Sequence, residues 1–290
     1  MDAHLRAEAA DRLLTAYSTR KPIEPLLDTY PDIVGADSYE IQLLQIARRL
    51  ADGATVKGHK VGLTSVAMQR QMKVNQPDYG HLLSDMFYPE NMPIAATEFL
   101  QPRVEPEVAF VLKKPLRGPG VTVAEAIAAV DFVLPALEII DSRIRDWKIG
   151  IIDTIADNAS SGGVVLGSTP VSVFDVDLRR SGCVLTRNAE IVGTGAGGAV
   201  LGSPLSSLMW LANTVGARGV VLEAGHVILP GSITASVGVA PGTPSPRRSP
   251  ASAASPLASR RRALDEQEGR RGHRRTRQYR HRPHVQDPPA

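Results

Sequence analysis

A single cysteine, Cys183, in 290 residues leaves no partner for an internal disulfide and no second thiolate for a sulfur-ligated metal cluster. Any metal bound by one chain therefore has to be held by oxygen or imidazole. Long apolar runs are also missing. No stretch approaches the roughly 18 uninterrupted apolar residues of a membrane span, and the start, MDAHLRAEAADRLL, carries acidic residues where a secretion signal has an apolar core. These absences predict a cytoplasmic protein. A hydrophobic content of 43% is enough to bury one large core in a chain of this length.

Lysine is absent after Thr243, where 12 arginines face only Asp265, Glu266, Glu268 and Asp287. The overall net charge of +3 therefore divides into +8 for residues 243–290 and −5 for residues 1–242. An acidic body argues against nucleic acid as the main ligand, because phosphate neutralisation needs a basic face. The same terminal segment has almost no aliphatic periodicity and is rich in Pro, Ser and Arg. Too little apolar surface is available there to offset the entropy of ordering, which predicts disorder for 243–290.

In the body, apolar residues recur at three- and four-residue spacing over 4–18 and 36–52, the pattern of an N-terminal helical layer covering about residues 1–55. From Lys57 onward, short apolar runs punctuated by Gly, Pro and Asn predict strands and loops, interrupted by helices over 123–130 and 204–215. The fold class expected is α+β, with residues 1–242 as one catalytic domain.

Chemistry is concentrated in few places. In the strand-like run Arg103-Val-Glu-Pro-Glu-Val, side chains two apart share a face, so Glu105 and Glu107 project together. Two adjacent carboxylates repel each other unless a cation lies between them, and a hard ion such as Mg²⁺ or Mn²⁺ resolves the repulsion. An edge strand with two solvated glutamates satisfies the same spacing, and Pro106 restricts the segment to an edge or to a strand start. Glu138 stands among apolar residues in LPALEIID, where an unpaired carboxylate is costly to bury. With Glu105 and Glu107 it makes a three-carboxylate group. Asp141 and Arg143 read as a pair behind it.

The strings GHKVGLTSVAMQRQM, QPDYGHLLSDM, RVEPEVAFVL, LPALEIIDSRIRDW and DTIADNASSGGVVLG, in this order, resemble the 2-keto-4-pentenoate hydratase family within the fumarylacetoacetate hydrolase superfamily. The resemblance runs from the first helix to Gly242. It implies a mixed β-roll core with flanking helices, a Mg²⁺ or Mn²⁺ ion, a homo-oligomer, and association with other enzymes of aromatic or steroid ring catabolism. It also implies hydration of 2-hydroxypenta-2,4-dienoate, or a substituted analogue, to a 4-hydroxy-2-oxo acid. Carried over by position, Glu105, Glu107 and Glu138 match metal ligands, Lys60 an active-site lysine, and Asp78 an acid near the substrate. Ser160 and Ser161 match a loop lining the pocket. Without the resemblance, Lys60 reads as a surface lysine, QPDYG as a turn, and DNASS as a loop or helix cap. Burial beside a metal is expected to depress the Lys60 pKa. His59 and His81 receive no role, and Cys183 is expected to be buried and inert.

Two departures stand out. His226 occupies a place where the family has an acid, and Arg- and Pro-rich text replaces a last core strand of GLGSV-like pattern. The abrupt switch resembles a reading-frame change in a GC-rich gene. The competing functions are decarboxylation of 2-oxo-3-hexenedioate, which needs a cation at the far end of the pocket (Arg103, Arg143 or Arg145), an inactive partner subunit, and a nucleic-acid binder acting through the tail.

Overall fold

The computed structural model describes residues 1–239. The predicted disorder of 243–290 and the proposed replacement of a last strand lie outside those residues.

Two long helices start at acidic caps. Asp2 accepts the Leu5 amide at the head of α1 (Ala3–Thr19), and Asp37 in the first turn of α3 (Gly35–Ala51) accepts the Val34 amide. The proline-broken segment between them holds only the short α2 (Leu26–Thr29). One apolar cluster joins Ala9, Ala10 and Leu13 of α1, Leu26 of α2 and Ile41 of α3 to Ile144 and Ala156. This is the expected N-terminal helical layer. Its seam with the rest of the molecule is polar as well as apolar. The Gln42 amide donates to Tyr79 O and Ile155 O, and that of Gln45 to Ala156 O.

The remaining elements follow in order as β1 (Val56–Gly62), α4 (Val66–Gln71), β2 (Asp78–Leu83), β3 (Phe87–Tyr88) and β4 (Arg103–Leu112). Then come α5 (Val123–Ala129), β5 (Val130–Ile140), α6 (Ile151–Ala156) and β6 (Ser161–Leu166), and finally β7 (Gly182–Arg187), β8 (Glu190–Ala196), α7 (Pro204–Gly216), β9 (Val227–Leu229) and β10 (Val237–Gly238). Among the described residues, eight strands form one mixed sheet in the order β2-β1-β9-β4-β5-β6-β3, with β10 beside β4, while β7 and β8 make a separate hairpin. The fold is the expected α+β, a curled mixed sheet with flanking helices.

Alternation along the strands divides the sheet into two faces. Val61, Tyr79, Val108, Phe110 and Ile228 pack into a large core with α5 and α7. The opposite face carries Ala109, Leu134, Ala136, Val164, Val227 and Leu229 as an apolar floor. The polar residues described below share that second face.

Pro106 is neither at an edge nor at a strand start. It lies inside β4, which pairs with β5 along its whole length and on its other side with β10 at Arg103–Val104 and with β9 at Phe110–Val111. The carbonyl of Pro106 accepts from Ile233 N at 3.0 Å, so the side lacking an N–H also faces the gap between β9 and β10. The proline removes no rung of the β4–β5 ladder, which is why a central strand tolerates it.

Candidate functional site: a buried carboxylate cluster

Register brings the three glutamates together. Glu105 sits opposite Glu138 across the β4–β5 pair, and Glu107 follows on the same face. One ligand atom from each of Glu105, Glu107 and Glu138 lies within 4.8 Å of the other two. Glu107 and Glu138 are buried and Glu105 is partly buried, its remaining exposure marking the open side of the cluster. Glu107 Oε2 accepts the Gly231 amide at 2.8 Å, and Glu138 Oε1 faces only the Lys60 ammonium, whereas Glu107 Oε1 and Glu138 Oε2 are buried without a hydrogen-bond partner among the described residues. Buried polar atoms are rarely left so, and oxygens converging in this way match the donor set of a hard divalent cation. The residues present fit a divalent metal.

β1 and β2 supply the neighbouring groups. Lys60 is buried, with Nζ 2.8 Å from Ala159 O and 3.2 Å from Glu138 Oε1. Asp78 begins β2 opposite Gly62. Its Oδ2 accepts the Thr154 hydroxyl at 3.0 Å, and its Oδ1 has no hydrogen-bond partner among the described residues. A Cβ on Gly62 would come within 2.2 Å of that Oδ1, so glycine is what admits the carboxylate here.

Electrostatics follows from four carboxyl groups around one ammonium. Burial, reinforced by Glu138, pushes Glu105 up to about 7, against the pull of Lys60 and Arg103. Burial and the charges of Glu138 and Glu105 hold Glu107 well above the usual carboxylate range, and burial likewise raises Glu138. Asp78 is raised by burial, which outweighs Lys60 and the Thr154 hydroxyl. With no metal beside it, Lys60 is shifted upward. Burial favours the neutral amine, but Glu138, Asp78, Glu105 and Glu107 together outweigh it and hold the lysine protonated.

Ser160 and Ser161 are both buried in the segment joining α6 to β6, yet they differ. Ser161 Oγ donates to Asn158 O at 2.7 Å and belongs to the turn, while Ser160 Oγ has no partner among the described residues. The Asp141–Arg143 pair is not formed. The Asp141 carboxylate accepts the Leu100 and Gln101 amides, and Arg143 pairs instead with Asp157. Arg145 is bound to Glu24 at the surface, and Arg103 is bracketed by Ser236 and the Trp147 ring. His226 caps its own loop, Nδ1 accepting the Glu223 amide. Cys183 is buried, as expected, and burial raises its thiol pKa. Sequence reasoning missed the Gly231 amide, the Thr154 hydroxyl and the Arg143–Asp157 pair, all set by contacts 14 to 124 residues apart in the chain.

A carboxylate-lined centre on a curled mixed sheet defines the class, and sequence comparison agrees. Residues 50–261 match the model of the fumarylacetoacetate (FAA) hydrolase C-terminal family, and the chain belongs to that family. Within it, the chain is 47% identical over 242 residues to a 2-keto-4-pentenoate hydratase from Paraburkholderia xenovorans (strain LB400), covering 83% of this chain and 90% of that one. It is 43% identical over 220 residues to a 4-oxalocrotonate decarboxylase from Pseudomonas sp. (strain CF600), covering 76% and 83%. Among solved structures, the 4-oxalocrotonate decarboxylase from Pseudomonas putida G7, complexed with magnesium and adipate, superposes with a TM-score of 0.81 at 39% identity, over 83% of this chain and 92% of that one. No helix among the described residues is long and apolar enough to cross a membrane.

Proposed function

We propose that the protein is a divalent-metal-dependent hydro-lyase that converts 2-hydroxypenta-2,4-dienoate, or a substituted analogue, into a 4-hydroxy-2-oxo acid. The observation that carries this reading is the convergence of Glu105, Glu107 and Glu138 beside the buried Lys60 and Asp78. The hydratase relative, more similar than either decarboxylase, supports the choice of reaction.

The three glutamates would hold Mg²⁺ or Mn²⁺, which when bound supplies a Lewis acid for the carboxylate and 2-oxygen of the substrate. Lys60, kept protonated by its surroundings, presents positive charge to the substrate oxygen that becomes more negative as the dienol system is polarised. Asp78, with one unpartnered oxygen and a raised pKa, moves protons: from the 2-hydroxyl to the terminal carbon during ketonisation, and from the water that adds at C4 to C3. Ser160, with its free hydroxyl, and Ser161, which holds the turn, line the substrate side. The finer parts of the proposal are residues 1–242 as the catalytic unit, a cytoplasmic location, and a homo-oligomer working with other enzymes of ring catabolism.

The test is loss of the dienol absorbance with and without Mg²⁺ or Mn²⁺, in wild type and in Glu107→Ala. Metal-dependent formation of the hydroxy-oxo acid, lowered at least about 10³-fold by the substitution, is expected. Folded wild-type protein that leaves the dienol unchanged would sink the proposal. A second reading, decarboxylation of 2-oxo-3-hexenedioate, has one observation in its favour. Arg103 shares the face of Glu105 on β4 and offers a cation for a second carboxylate, whereas Arg143 and Arg145 are engaged elsewhere. Release of CO₂ from the diacid, at a kcat/KM above that for the dienol, would replace the hydratase reading.

A further inference from the structure

Asn158, Ala159 and Ser160 have φ values of 52°, 51° and 53°, three successive non-glycine residues in the left-handed region. One such residue costs energy, and a run of three persists only where the surroundings impose it. The enforcing group is Arg143, fully buried, with its guanidinium 4.2 Å from the Tyr17 ring centre. Its Nη2 donates to Asp157 O at 2.6 Å and its Nη1 to Ser161 O at 3.0 Å. Those carbonyls stand immediately before and after the left-handed triplet. The Asp157 carboxylate completes the grip, one oxygen accepting Arg143 Nε and the other the Arg143 amide at 2.9 Å. On the far side, the Asn158 side chain accepts from His81 N at 2.7 Å and donates to His81 O at 2.9 Å, docking the turn on β2. Gly80 lets it approach, since a Cβ there would lie 2.4 Å from Asn158 O.

The apex of this turn is the Ala159 carbonyl, which accepts from Lys60 Nζ. The ammonium is thus fixed between a backbone oxygen and Glu138. We infer that Arg143, together with Asp157, is a positioning element for the reaction: by clamping both ends of a strained turn, it sets where the Lys60 ammonium sits relative to the carboxylate cluster. Neither residue touches the substrate. The inference rests on the hydratase reading and adds to it a pair of residues that work through Lys60.

Arg143→Lys keeps the buried charge but cannot reach both carbonyls at once. It is expected to lower kcat about tenfold while the half-saturating Mg²⁺ concentration stays within about twofold, since the three glutamates are untouched. Adding Ala159→Gly, which adopts positive φ without strain, is expected to restore most of the lost kcat, because the turn then needs no clamp. Hydrogen exchange at the 158–161 amides is expected to quicken in Arg143→Lys and to return to the wild-type rate in the double variant. If Arg143→Lys does not fold, Tyr17→Leu loosens the same guanidinium without disturbing the ion pair, and a smaller kcat loss with the same rescue is expected. Unaltered kcat in folded Arg143→Lys, or a loss that Ala159→Gly leaves in place while exchange recovers, overturns the inference. Wild-type protein with no hydratase activity overturns the activity reading instead. The clamp is then judged on exchange alone, which needs no turnover: unchanged exchange in Arg143→Lys refutes it, and faster exchange reversed by Ala159→Gly supports it.

Discussion

Lys60 and His59 are neighbours on β1, both buried, and alternation sends them to opposite faces of the sheet. On the Lys60 face, charge answers charge: one ammonium lies among Asp78 and three glutamates, and each group depends on the others. Around His59 the described residues place no counter-charge. Among the described residues His59 has no hydrogen-bond partner at either ring nitrogen, and it stands 4.9 Å from the ring of His81 and 5.8 Å from that of His226. Burial, reinforced by the two neighbouring imidazoles, holds His59 neutral, and burial lowers His81 to about 4. The same strand pair therefore accommodates buried polarity in two ways, by compensation on one face and by neutralisation on the other. Compensation keeps charges available for chemistry, and neutralisation removes them.

The comparison can be broken at its strongest point by Lys60→Met, which strips the compensated face of its ammonium. Loss of about 3 to 5 kcal/mol is expected in denaturant unfolding of the metal-free protein, because the carboxylates it faced remain buried. Acid tests the other face. His59 and His81 have folded pKa values below the unfolded value near 6.5, so their contribution to stability is present above that pH. It is lost as the pH falls toward the folded values. For His81 alone the loss between pH 6.5 and 4 is on the order of 3 kcal/mol, read as a falling midpoint in urea. Glu107→Gln sharpens the contrast from the opposite direction. Removing one of three mutually repelling carboxylates is expected to raise the stability of the metal-free protein by about 1 to 2 kcal/mol even as turnover is lost. The smallest effect is expected from His59→Phe, which fills the same space without unpartnered nitrogens. Stability at pH 7 should change by no more than about 1 kcal/mol, and the acid-induced loss should become shallower in the same urea series.

Local patterns made the helical layer and the β4 strand legible. The three- and four-residue spacing over 4–18 and 36–52 is realised in α1 and α3, and the two-residue spacing of Glu105 and Glu107 puts them on one face. The arrival of Glu138 opposite Glu105 was suggested only by its apolar neighbours, since register between strands 33 residues apart is a tertiary property. Pro106 defeated a local rule because the direction of a missing N–H depends on which neighbour lies on which side. Arg143 was assigned to the nearer carboxylate, Asp141. The structure gives Asp141 to two backbone amides and leaves Asp157 for the arginine, a choice made by the packing of the turn. Lys60 stays charged in the metal-free cluster because the carboxylates around it outweigh desolvation, which burial by itself does not reveal.

The gap beside Pro106 has a further meaning. Into it the chain after β9 is fastened at two successive residues of β4, Ile233 to the Pro106 carbonyl and Gly231 to the Glu107 carboxylate. Glu107 is thereby aimed by backbone that lies more than 120 residues later in the chain. The acidic cluster and the loop behind β9 form one heritable unit: an insertion, deletion or exchange that moves residues 231–233 re-aims a carboxylate whose own strand is unaltered.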